Sequence, residues 1–222
     1  MRSRILLLAA LAAVALPAAA DNKIPIASEG TVGDRWTLVA GSQLMPPYPD
    51  DYAGQPENVC LVIGYLVNAD GRTSDFSLLK SWTSGSHSRN EKFWADFGNL
   101  ASRALAQWRY VPAANVPAAP VYTAATFVFS APGDVVDTRS HCALVDLTTR
   151  LVELRFEPRA RRLMAGGVFS RLDIDPYLAE RIHRQLIAER ERADDHHMSA
   201  RVLGPARQNP PPPPPPTPPG NK

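Results

Sequence analysis

The chain has 222 residues, with 24 Lys+Arg against 22 Asp+Glu, two cysteines and 22 prolines. A formal charge of +2 argues against a dedicated nucleic-acid binder, whose basic surplus is large and concentrated, while 45% hydrophobic and 21% charged residues suffice for the core of one average domain or two small ones. Nine of the 22 prolines fall in the last thirteen residues, which cannot fold as a domain, and twelve are spread at ordinary density over residues 21–209.

Met1-Arg2-Ser3-Arg4 is basic, Ile5 to Leu16 is apolar, and Ala18-Ala19-Ala20 supplies small residues ahead of Asp21. This is the pattern of an export signal, residues 1–20, cleaved after Ala20. The alternative is an uncleaved inner-membrane anchor. It is disfavoured because the run is shorter than the roughly 20 residues a spanning helix needs and Pro17 interrupts its end. The expected location is the periplasm. Residues 21–44 then form a lead. Export makes Cys60 and Cys142 candidates for a disulfide, the other reading being two buried thiols.

The segment 45–131 carries the clearest pattern. Val59 to Val67 is β-rich, with Val59, Leu61, Ile63, Tyr65 and Val67 on one alternating face. Asn68-Ala69-Asp70-Gly71 is a hairpin turn, because Asp-Gly supplies the positive φ that a tight turn requires. The return strand is expected from about Arg72 to Leu79, with Phe76 and Leu78 on one face and a wet face opposite. Ser88-Arg89-Asn90-Glu91 matches a capping box. It predicts a helix carrying Phe93, Phe97, Leu100, Ala101, Ala104, Leu105 and Trp108 and ending near Tyr110, before Pro112. A Pro- and Ala-rich linker leads to a third strand, Val121 to Phe129. The expected fold class is α+β: a small antiparallel sheet covered on one face by one helix.

The ordered set Pro47-Tyr48-Pro49, the first strand, Asp70-Gly71, Leu79-Lys80-Ser81, Trp108-Arg109-Tyr110-Val111-Pro112 and Phe127-Val128-Phe129 resembles the C-terminal domain of the TonB family. The resemblance implies a periplasmic binding module, without catalysis, that pairs with outer-membrane transporters by accepting an extended peptide as an added strand. Pro47, Tyr48, Pro49, Asp70, Gly71, Trp108, Tyr110 and Pro112 are its motif residues here. The family's energy-coupling members have an anchor and a long proline-rich spacer before the domain, where this chain has only residues 21–44. They often have glycine where this chain has Asn58.

The third strand, last in order, is the expected docking edge, through Val121, Thr123, Ala124, Ala125, Thr126 and Phe127. The alternative is that the C-terminal half caps it. Trp108, Tyr110, Phe93 and Phe97 are expected in the core, and Tyr48 as either a staple or an exposed handle. The expected partners are an outer-membrane transporter or another envelope protein, and a second copy as a homodimer, with no nucleic acid and no small-molecule substrate. The alternative function is a structural cell-envelope protein that keeps the fold for self-association or wall contact.

Residues 132–198 read as a strand and helix extension, with strands at Ala143–Leu147 and Leu151–Phe156 and a helix started by Asp175-Pro176. Arg155, Arg159, Arg161, Arg162 and Arg171 form a basic cluster, read as a solvated face or a contact for anionic lipid or wall polymer. No catalytic constellation is present. Asp194, Asp195, His196 and His197 are adjacent on a helix and cannot converge on one ion, so no metal or cofactor is expected and the protein reads as a non-enzyme. Residues 199–222 read as a disordered proline-rich tail, with Pro210 to Pro216 in polyproline II form as a spacer, a passive end or a ligand.

Overall fold

The computed structural model describes residues 23–131, 137–157 and 167–202, the last ten of these by backbone alone. The export signal, the proline tail and Arg159 to Arg162 lie outside the described residues, as do the side chains of Asp194 to His197. Chain contacts divide the protein into two units at Ile174/Asp175.

The first unit is built on a three-stranded antiparallel sheet of β2 (Val59–Val67), β3 (Thr73–Thr83) and β5 (Val121–Phe129) in the order β3-β2-β5. β2 is central and every residue in it is buried. Its odd-numbered side chains enter a core with Phe93, Phe97 and Leu105 of α1 (Glu91–Leu105) and with Phe127 and Phe129 of β5. Burying a large apolar side chain in this way contributes about 2–3 kcal/mol. Helix α1 starts two residues later than the capping box predicts. Its cap is Asn90, whose side chain accepts from the Phe93 amide at 3.2 Å, and Ser86–Arg89 is a 3-10 turn.

The helix also ends earlier than expected, at Leu105. Trp108 and Tyr110 are core residues as predicted, but they lie beyond the helix. Tyr110–Pro112 is β4, paired antiparallel with β1 (Trp36–Leu38) from the lead. The chain turns out of the helix because Tyr110 N donates to Gly71 O at 2.9 Å, a tertiary bond that helix periodicity cannot reveal.

The second sheet face is not wet. It carries a separate core of Cys60, Val62, Leu66, Leu79, Tyr122 and Ala124, with Leu147, Leu151 and Leu154 from α3 (Leu147–Phe156). Phe76 and Leu78 share the helix side, although Leu78 remains 39% exposed. Two register shifts, between Val62 and Ile63 and between Gly64 and Leu66, bulge β3 and leave Leu79 turned into the second core. The strands expected at Ala143–Leu147 and Leu151–Phe156 are a loop and a helix. Asp146 caps α3 by accepting from the Thr149 amide, and Arg150 lies 2.9 Å from Glu153 one turn on. Thr148 and Thr149 favour strand locally, but burial of one helical stripe outweighs that preference.

Cys60 and Cys142 are joined, across 82 residues of sequence, with Cα atoms 6.0 Å apart. The bridge ties the end of α2 (Thr138–His141) to the central strand. Ile24 N donates to Arg171 O and Asp173 N to Ile24 O, stitching the lead to the segment after α3. The described residues 137–157 and 167–172 therefore pack with the sheet, in the same unit as residues 23–131. The second unit contains α4 (Pro176–Val202). It starts as predicted, with Asp175 accepting from the Tyr177 amide at 2.8 Å, and continues past the expected fade at Ala193.

Candidate functional site

With both sheet faces buried, the strand edges are what the sheet can offer a partner. β5 pairs with β2 along all nine residues without a bulge. The backbone N–H and C=O of Tyr122 point to the outer edge, and alternation sends those of Ala124, Thr126 and Val128 the same way. This edge is partly occupied by the chain's own lead, which lies parallel to β5 at Ile26. Tyr122 N donates to Pro25 O and Ala27 N to Tyr122 O, each at 2.9 Å. The Thr126 amide and hydroxyl donate to the two carboxylate oxygens of Glu29 at 3.0 and 2.7 Å, and Arg139 holds that carboxylate at 2.9 Å. The expected docking edge of Val121, Thr123, Ala124, Ala125, Thr126 and Phe127 is thus partly covered, by the lead at Tyr122 and Thr126, with Arg139 from the C-terminal half holding Glu29 in place. Thr123, Ala124 and Ala125 are also buried. Beside the edge lies a groove of about 600 Å3 between Glu29, Thr126, Arg139 and Leu144.

The other edge belongs to β3. Ser84 N donates to Asn58 O at 2.9 Å, so alternation turns Trp82 and Lys80 toward β2 and Ser81 and Thr83 outward. Among the described residues, the backbone groups of Ser81 and Thr83 have no hydrogen-bond partner, and Leu79 O accepts from Arg150 Nε at 2.8 Å. The bulges confine the flat part of this edge to Lys80–Thr83.

The far end of β3 is pinned by Glu57. Thr83 Oγ1 donates to one carboxylate oxygen at 2.6 Å, while the other takes the Ser86 amide at 3.1 Å and faces His87 Nδ1 at 2.6 Å. Burial opposes ionisation of Glu57, but Thr83, His87 and Ser86 together hold its carboxyl below the usual range. The threonine hydroxyl donates to the carboxylate and not to the imidazole. The cluster is a staple.

The motif residues prove to be scaffold. Tyr48 acts as a staple: its Oη takes the Glu57 amide at 2.9 Å and donates to Glu57 O at 3.1 Å, with its ring edge-on to Phe97. Asp70 accepts from the Arg72 amide at 3.0 Å. Gly71 has φ +76, and a Cβ there would lie 2.0 Å from Tyr110 O, so the turn glycine and the tyrosine after the helix are structurally one feature. Tyr110 Oη meets Tyr65 Oη at 2.6 Å, and burial pushes both phenols up. Trp108 Nε1 donates to Leu44 O at 3.1 Å, while Pro47 and Pro112 are exposed and Pro49 half-buried. Asn58, where the family often has glycine, is buried and accepts from the Ala131 amide at 2.8 Å, fastening β5 to the start of β2. Sequence reasoning missed Glu29, Arg139 and Arg150, because each acts on an element 71 or more residues away.

Among the described residues, no group of three or more His, Cys, Asp or Glu could hold a metal ion, and no helix is long and apolar enough to cross a membrane. No family model matches the chain, and no curated protein matches it. Among solved structures, the solution NMR structure of the Pseudomonas aeruginosa TonB CTD is similar to part of this chain. It has 16% identity and a TM-score of 0.37, covering 49% of this chain and 96% of that one.

Proposed function

We propose that this chain is an exported, periplasmic TonB-like binding module that holds an outer-membrane transporter or another envelope protein by taking an extended segment of that partner as an added strand. The observation that carries the reading is the state of the sheet. Both faces are buried, the β5 edge is covered by the lead at Tyr122 and Thr126, and the outward backbone groups of Ser81 and Thr83 on β3 have no hydrogen-bond partner among the described residues. Unpaired edge groups are what β-augmentation uses. Docking therefore moves from β5 to β3, over the short flat stretch Lys80–Thr83, and needs neither cofactor nor catalysis. The basic, apolar and small-residue pattern of residues 1–20 supports the location.

Photocrosslinking in cells from position 81, beside positions 123–127, tests this. An adduct with an outer-membrane protein from position 81 supports the proposal, and adducts from 123–127 alone would return docking to β5. Self-adducts or none at either edge would favour the alternative, a structural envelope protein. N-terminal sequencing of the chain recovered from the periplasm should begin at Asp21.

A further inference from the structure

The β1–β4 ribbon has an outward face that neither core uses. Trp36 and Tyr110 point inward and are buried, so alternation places Thr37 and Val39 of one strand and Arg109 and Val111 of the other on the opposite side. Arg35 extends this side from β1, with its carbonyl accepting from Ala113 N at 2.9 Å. Arg72 extends it at the hairpin, bridged antiparallel to Arg109.

Two properties make this face unusual. The first is its exposed apolar content: Val39 and Val111 on the ribbon are 38 and 48% exposed, and Leu44 and Met45 in the segment that follows β1 are 51 and 59% exposed. The only other exposed large hydrophobics described in this unit are Leu78 and Val145. Ser42 Oγ donates to Arg109 O at the edge of the ribbon, and the chain runs on from there to Leu44, whose carbonyl accepts from Trp108 Nε1. The second is its charge. Arg72 and Arg109 stand directly opposite each other, a like-charge pairing that destabilises a sheet unless a partner offsets it. Arg109 Nη1 reaches only the Ala106 and Trp108 carbonyls, at 2.9 and 2.8 Å. Among the described residues Arg35 has no ion-pair partner, and Arg72 meets Asp70 loosely, at 3.7 Å, with both side chains well exposed. The other carboxylates nearby in sequence are Asp34, in the 3-10 turn before β1, and Asp75, whose carboxylate accepts from Ser74 Oγ at 2.7 Å.

We infer that this face docks on an anionic phospholipid surface, with Arg35, Arg72 and Arg109 meeting headgroup phosphates and Leu44, Met45, Val39 and Val111 entering the interface. Apolar side chains among arginines on a two-stranded ribbon match the chemistry of interfacial binding, in which shallow apolar insertion and attraction to anionic lipid act together. An acidic peptide would use the arginines but leave four apolar side chains in water. The inference deepens the envelope reading by placing the module at a membrane surface, and it does not involve the β3 edge.

The test is co-sedimentation of the chain beginning at Asp21 with vesicles of phosphatidylglycerol and phosphatidylcholine, or of phosphatidylcholine alone. Binding is expected only with phosphatidylglycerol and should weaken as salt is raised. Each of Arg35→Gln and Arg72→Gln should weaken it about fivefold, as should Arg109→Gln, provided near-ultraviolet circular dichroism shows the fold intact. Leu44→Ser with Met45→Ser should weaken it further without changing the salt dependence. Absence of binding to phosphatidylglycerol vesicles at low salt, or binding unchanged in the Arg35→Gln/Arg72→Gln double variant, would overturn the inference. Crosslinks from position 81 would survive either result.

Discussion

Replacing both cysteines, Cys60→Ala with Cys142→Ala, removes the covalent tie between the central strand and the segment that covers the second sheet face. The bridge closes a loop between residues 82 apart, which in the chain-entropy model corresponds to about 4.5 kcal/mol. With a urea m-value near 2 kcal/mol/M, typical of a chain this size, the unfolding midpoint should fall by about 2 M. Both cysteines are fully buried in the second core, so local loosening should accompany the global loss. Limited proteolysis should then cut within 137–172 before it cuts α1 or β2. A midpoint within about 0.5 M of the wild type, with proteolysis unchanged, would show that packing alone holds this segment and would refute the role given to the bridge.

Gly71→Ala forces a Cβ against Tyr110 O at a φ of +76; a cost of about 2–3 kcal/mol is expected, read as a thermal midpoint shift, and a loss below about 0.5 kcal/mol would contradict the close approach. Tyr48→Phe keeps the ring but leaves the Glu57 amide and carbonyl without the hydroxyl, and should cost about 1–2 kcal/mol in urea unfolding. Glu57 has a folded pKa below its unfolded value of 4.5, so its contribution is fully present above that pH and is lost as pH falls through the folded pKa. The wild-type urea midpoint should therefore drop on acidification below about pH 4.5, and Glu57→Gln should show a smaller drop from a lower starting value; parallel pH profiles would remove Glu57 from the acid response.

Local chemistry set much of the frame without any tertiary information. The alternation of Val59 to Val67, the Asp70-Gly71 turn, the stripe of Phe93, Phe97 and Leu105, and the Asp175 cap each act within about ten residues, and each forms its expected element. Trp108 and Tyr110 were legible as core residues because large aromatics near an apolar stripe are buried in either conformation. Their placement beyond the helix was not legible, since it depends on a bond to Gly71.

Tertiary structure alone decided three matters. Every β2 residue proved buried because a disulfide and α3 bring a second core to the face that the polar alternation of the return strand made look wet. The segment after Asp146 became a helix because its apolar residues had a sheet to pack against, and propensity yields to burial. The β5 edge was covered in part by the lead, through Glu29, 97 residues from Thr126. A sequence pattern records what neighbours do to each other, but whether a strand edge is free depends on what the rest of the chain lays against it.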